Sequence, residues 1–116
     1  MTGAGQGEDR ERRVGLNEAL FREVNERIGG LTEDFRSVQD SMTIVCECGD
    51  AVCVERFQVE VAGYERVRAN PLRFLVVPGH QAPDVERVVE ELPTCLVVEK
   101  DEGAGAEVAE QTDPRA

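Results

Sequence analysis

Three of the four cysteines of this 116-residue chain fall within eight residues, Cys46-Glu47-Cys48-Gly49-Asp50-Ala51-Val52-Cys53. Thiolate sulfur and imidazole nitrogen are the ligands that zinc gathers into a tetrahedron, with two sulfurs on one ion about 3.8 Å apart. In an extended stretch, residues two apart point to the same side, so Cys46 and Cys48 can aim together as a strand ends. Gly49 and Asp50 favour a turn that returns Cys53 to the same point. The fourth ligand must come from elsewhere. His80, the single histidine, follows the turn signal Pro78-Gly79 at the end of an apolar run. Cys95 is its rival. It lies in Cys95-Leu96-Val97-Val98, which reads as a buried strand, and a free cysteine often serves as a small hydrophobe. A structural zinc site accepts either set, and Cys46, Cys48, Cys53 and His80 are the expected ligands.

A disulfide between Cys46 and Cys53, or a set of inert thiols, would also account for the cysteines. The stretch Met1-Thr2-Gly3-Ala4-Gly5-Gln6-Gly7 is polar and has no apolar signal core. A cytoplasmic protein is therefore expected, where clustered cysteines bind metal or do redox work more often than they form stable disulfides. The spacing of bacterial iron–sulfur ferredoxins is absent. Glu47 lies between two ligands and could act as a base, but a solvated carboxylate is the expectation. With His80 on the metal, no Ser-His-Asp set can be assembled, and no glycine-rich phosphate loop is present.

The elements that must position these residues follow from patterning. Val14, Asn17, Phe21, Val24, Ile28, Leu31 and Phe35 recur at steps of three and four, a seam with one polar position that can fix register. Residues 9–40 are therefore an amphipathic helix region, supported by Glu18–Arg22 and Glu23–Arg27 at i,i+4. Gly29-Gly30 should end the helix near Ile28, with a second short turn from Thr32. The helix either packs on the chain's own sheet or pairs with a second copy. Met42-Thr43-Ile44-Val45 leads into Cys46 as a strand, and Phe57, Val59 and Val61 alternate with polar residues as its hairpin partner. A short helix over 62–69 follows, with Tyr64, Val67 and Arg68 on one face and Asn70-Pro71 as its stop. Arg73-Phe74-Leu75-Val76-Val77 is a third strand that delivers His80. Residues 84–92 have helical spacing, but their brevity, their valines and Pro93 favour a hairpin of 86–91 with 95–100.

The fold class expected is α+β: an N-terminal helix, then a small zinc-stabilised antiparallel β domain over 41–100 with one short helix. Residues 1–8 and the acidic stretch 101–116 read as disordered. A core of this size usually needs a disulfide, a metal or a partner.

The net charge is −11, with nine acidic residues in 1–40, ten in 41–100 and five in 101–116. That opposes nucleic-acid binding, which calls for a basic stripe. Arg66, Arg68 and Arg73 cluster around the short helix, but Glu60 and Glu65 offset them as a mixed solvated face. No apolar run reaches the length of about 18 residues that a membrane helix needs. Twelve of the thirteen basic residues are arginine. With abundant Ala, Gly and Val, this reads as nucleotide composition of the genome rather than function.

The C-x-C-x4-C spacing of Cys46, Cys48 and Cys53 is similar to the zinc knuckle that follows the catalytic domain of some histone methyltransferases. That likeness carries geometry and no activity. More of the chain resembles a group of small, functionally uncharacterised bacterial proteins from GC-rich genomes. The matching pieces are 17–28, Cys46-Glu47-Cys48 with Cys53, Tyr64-Glu65, Val67-Arg68, Pro71, Arg73-Phe74, Pro78-Gly79-His80 and Val97-Val98-Glu99-Lys100, within residues 13–100. The resemblance implies that Cys46, Cys48, Cys53 and His80 belong to one pattern. The group tends to carry an aromatic near Cys95, which argues against Cys95 as a ligand. It also tends to start the short helix with Thr, where this chain has Glu60 and Val61.

Three functions fit these residues. The first is a non-enzymatic interaction or regulatory module with a structural zinc, partnered by a protein or by a second copy through the N-terminal helix. The second is a redox or zinc-release thiol switch. The third is a metal-dependent or thiol enzyme.

Overall fold

The computed structural model describes residues 3–33 and 41–115, with side chains from Gly7 to Gly29 in the first stretch. Its elements are α1 (Gly3–Glu33), β1 (Ser41–Val45), β2 (Arg56–Glu60), α2 (Val61–Arg68), β3 (Arg73–Val76), β4 (Glu86–Glu91), β5 (Leu96–Lys100) and α3 (Ala104–Gln111). The fold is α+β, as expected. β1 and β2 form an antiparallel hairpin with Ile44 opposite Phe57, and the cysteine turn connects them. The second sheet has the order β3-β5-β4, antiparallel throughout. The 86–91 and 95–100 hairpin is thus present, closed by a Leu92 N–H bond to the Cys95 carbonyl at 2.9 Å. A bulge at Val89 shifts the register of β4 against β5.

The apolar runs in β3 and β5 are continuous because both faces of this pair are covered. Leu75 and Val97 face the hairpin and α2, joining Met42, Ile44, Val59, Tyr64, Val67 and Cys95. Phe74, Val76, Leu96 and Val98 face the other way, toward Cys46, Cys48 and Ala109. α2 starts one residue before its expected range, and Val61, Tyr64, Val67 and Arg68 are its buried face. Glu60, at its N-cap, makes no side-chain cap there.

Four expectations need correction. First, residues 101–116 are not a disordered tail, because α3 buries Ala104, Gly105, Ala106, Val108 and Ala109. The Gly and Ala content that suggested disorder is what lets two helices touch. A Cβ on Gly15 would lie 3.2 Å from the Gly105 Cα, so the α1 and α3 backbones are nearly in contact. Second, α1 begins at Gly3, inside the stretch expected to be disordered, and runs through Gly29-Gly30 to Glu33. Ile28 packs against the core. Tertiary contact outweighs a propensity cost of about 1 kcal/mol per glycine.

Third, the seam at 14, 17, 21, 24 and 28 is not what α1 buries. Those residues are half-buried, and Val24 is exposed; the side chain of Leu31 and all of Phe35 lie outside the described residues. The buried face carries Glu18, Ala19, Arg22 and Asn25 instead. Arg22 is fully buried and donates to the Pro71 carbonyl at 2.6 Å and the Ala109 carbonyl at 2.8 Å. Its guanidinium lies over the Phe74 ring, 4.7 Å from the centroid. Of the two expected helical pairs, Glu23–Arg27 is present at 3.5 Å. Glu18 turns inward to Lys100. Fourth, Arg68 does not lie on the mixed solvated face expected of Arg66, Arg68 and Arg73, whereas Arg66 is exposed and Arg73 partly so. Arg68 is buried between Glu26 at 2.7 Å and Asp113 at 2.6 Å. Arg66 pairs with Glu90 and Arg73 with Glu99.

No helix among the described residues is long and apolar enough to cross a membrane.

Lys100 sits between two shielded carboxylates, with its Nζ 2.8 Å from Glu18 Oε1 and 3.1 Å from Glu86 Oε1. Burial, then the neighbouring Glu86 carboxyl, drives Glu18 well above the ordinary carboxylate range. Lys100 is held above its usual value, the pull of Glu18 and Glu86 outweighing its burial. One ammonium cannot balance two buried carboxylates, which agrees with a Glu18 carboxyl that keeps its proton. A carboxyl whose folded-state pKa is raised holds its proton more tightly when folded. Its contribution to stability is present at low pH and declines as pH rises from the unfolded value near 4.5. Glu18→Gln should therefore gain stability relative to the parent as pH rises from 5 to 8, read as paired urea-unfolding midpoints. Lys100→Met should cost about 3–5 kcal/mol at neutral pH, because it strands a buried carboxylate. A pH-independent difference for Glu18→Gln would contradict the raised Glu18 carboxyl.

Candidate metal centre

β1 and β2 end in the turn that carries the three clustered cysteines. Cys46 leaves β1 with its N–H bonded to the Glu55 carbonyl at 3.0 Å, which keeps the two strands together up to the turn. Glu47 N–H bonds to the Leu75 carbonyl at 2.9 Å, tying the stretch to β3. The turn closes through Cys53 N–H to the Asp50 carbonyl at 3.1 Å, with the Asp50 side chain accepting from Val52 N–H at 3.0 Å. Gly49 serves close approach. A Cβ there would fall 2.5 Å from the Val14 side chain of α1.

The fourth group arrives from the other sheet. β3 runs out through Val77-Pro78-Gly79-His80, where His80 N–H bonds back to the Val77 carbonyl at 2.9 Å and Gly79 has φ +95°. Proline at the second position and a positive-φ glycine at the third make this a type II turn. Its last residue points the imidazole at the cysteines.

Cys46, Cys48, Cys53 and His80 come together, with one ligand atom from each lying within 4.8 Å of all the others. His80 Nδ1 is 3.6 Å from both the Cys46 and the Cys53 sulfur. A tetrahedron with metal–sulfur near 2.3 Å and metal–nitrogen near 2.0–2.1 Å has a nitrogen–sulfur edge of about 3.6 Å. Cys46 and Cys48 are buried, and Cys53 and His80 are half-buried, so the cluster is sealed on one side and reaches solvent on the other. The Val77 N–H donates to the Cys46 sulfur at 3.2 Å, a bond that steadies a thiolate ligand. Burial first, then the neighbouring sulfurs, pushes the Cys46 and Cys48 thiols up. A bound dication would supply the positive charge that thiolates at these buried positions need.

Cys95 stays apart from this group. It is buried in the apolar core beside Leu75 and Val97, and burial pushes its thiol up to about 11. Glu47 is not a solvated carboxylate. It is fully buried, accepting from Asn25 Nδ2 at 2.7 Å and from Leu75 N–H at 3.0 Å, and burial raises it to about 7. Its side chain is a strut between α1 and β3.

The supporting residues were only partly legible. Asn17, the polar position in the apolar seam, donates to the Gly49 carbonyl at 2.9 Å, so it registers α1 against the cysteine turn. Asn25 had no signal in the sequence. It exchanges two bonds of 2.8 Å with the Val45 backbone and reaches Glu47 as well.

Cys48→Ser and His80→Ala should abolish metal retention and lower the melting temperature sharply. Cys95→Ser should retain the metal and lose only packing. Metal content and thermal melts of the three variants check this, and a metal-free Cys95→Ser protein beside a metal-retaining His80→Ala protein would reverse the ligand assignment. No protein family, curated protein or solved structure matches the chain, so the reading of this centre rests on its own geometry.

Proposed function

We propose that the chain is a small, non-enzymatic zinc protein of the cytoplasm, in which a structural zinc holds together a module that binds another protein. The observation that carries this reading is the convergence of three sulfurs and one imidazole nitrogen within 4.8 Å of one another, with two nitrogen–sulfur distances of 3.6 Å that match a tetrahedral edge. Four protein ligands fill a zinc coordination sphere, which is the pattern of structural rather than catalytic sites. The metal would join the β1–β2 turn to the loop after β3, bracing two small sheets against each other. The resemblance of the sequence to a group of small bacterial proteins implies that the same four residues belong to one pattern. Net charge −11 and the pairing of Arg66, Arg68 and Arg73 with carboxylates favour a protein partner over a nucleic acid.

The half-buried position of Cys53 and His80 favours a second reading, a zinc-release thiol switch. Hydrogen peroxide would take two electrons from two of the thiolates, forming one disulfide and two hydroxide or water molecules as the metal leaves.

Protein purified without added metal should carry about one zinc per chain by elemental analysis. Retention of that zinc under mild peroxide supports the structural reading. Reversible release with disulfide formation supports the switch. Metal-free protein with four freely titrating thiols would refute both.

A further inference from the structure

Because α1 turns a charged face inward, it leaves apolar residues outward. Leu16 is 51% exposed, Leu20 60% and Val24 38%, on the side opposite Glu18, Arg22 and Asn25. With Asp9, Arg13, Glu23 and Arg27, the two leucines form a line at steps of four and three: 9, 13, 16, 20, 23, 27. That is the spacing of a coiled-coil seam. Asp9, Arg13 and Arg27 are exposed, and Glu23 is partly so. This line is distinct from the half-buried seam through Phe21 and Ile28.

We propose that this outward line is a homodimer interface in which α1 pairs antiparallel with α1 of a second copy. The charge order selects the partner and the direction. In one antiparallel register, Leu16 meets Leu20 of the other copy, Arg13 meets Glu23, and Asp9 meets Arg27. The two-fold axis repeats each pair, so two leucine layers are flanked on both sides by two layers of opposite charge. A parallel pairing in register would set Arg13 on Arg13, Glu23 on Glu23 and Arg27 on Arg27, which repels. The seam from Asp9 to Arg27 is about 27 Å long at 1.5 Å per residue. It is a short contact beside standard interfaces of about 1,600 Å². The dimer is therefore reversible and dissociates on dilution. The inference deepens the proposed interaction module by naming its partner, and it does not need the metal to be zinc.

Sedimentation equilibrium of the full chain, with metal content measured on every sample, tests it. The parent should shift from monomer to dimer as concentration rises through the micromolar range. Leu20→Glu and Glu23→Arg should each weaken dimerisation by at least about tenfold. Arg13→Glu added to Glu23→Arg should restore it. Those two positions are about 15 Å apart along one helix, so restoration reports a contact between copies. All three positions face solvent, and circular dichroism with unchanged metal content confirms that the fold is kept. A metal-loaded parent that stays monomeric to about 1 mM overturns the proposal and leaves the line to a chain of different sequence. A dimer that survives both single substitutions, or a double variant that fails to recover, overturns it as well. Metal-free parent that still dimerises refutes the zinc reading and upholds the interface.

Discussion

The structure depends on finding partners for the charged face that α1 turns inward. Glu18, Arg22 and Asn25 are fully shielded from water, and Glu26 is mostly so. Each buried charge without a partner would cost several kcal/mol, so the rest of the chain is arranged to supply one. β5 supplies Lys100 and β4 supplies Glu86. α2 supplies Arg68. The loop after α2 and the last turn of α3 supply carbonyls to Arg22. Asp113 and Arg115 complete the network, with Arg115 bridging Glu26 at 2.6 Å and Glu65 at 2.7 Å. An apolar helix face would pack in several registers, whereas these directional bonds hold α1 in one.

The metal centre is attached to the same network. Glu47, between two of the ligands, bonds to Asn25 of α1, and Asn25 also clamps the Val45 backbone just before the first cysteine. Asn17 holds the Gly49 carbonyl two turns earlier along the helix. The cysteine turn is therefore shaped from outside as well as by its own hydrogen bonds. Preorganisation of this kind lowers the ordering cost of binding an ion.

The parts of the fold that were legible in the sequence are those governed by local pattern. Alternation in 57–61, the turn residues at 49–50 and 78–79, and the Pro71 stop each act within a few residues. The ligand cluster was legible because few residue types can hold a transition metal. What escaped is what depends on distant partners. Glu18, Arg22 and Arg68 look like surface residues until the whole chain surrounds them. The Gly-Ala composition of 103–106 reads as flexible until a second small residue, Gly15, is found opposite it. The apolar seam of α1 has true helical periodicity, but hydrophobic periodicity assumes that the buried face is the greasy one. Here hydrogen bonding and ion pairing outweigh that preference.

The distances in sequence across this network have a consequence for how the chain is made. Arg22 bonds to a carbonyl 87 residues downstream, and Arg115 pairs with Glu26 across 89 residues. During synthesis α1 emerges before both sheets, and some of its partners, Lys100, Ala109 and Arg115 among them, follow only when the segment around 100–115 has left the ribosome. Contacts this remote in sequence are slow to form, because the loop must close before they reward it. A helix with a greasy inward face would spend that interval exposed to aggregation. α1 spends it with Glu18, Arg22, Asn25 and Glu26 solvated, so the face that is costly to bury in the finished interior is comfortable in water until its partners arrive.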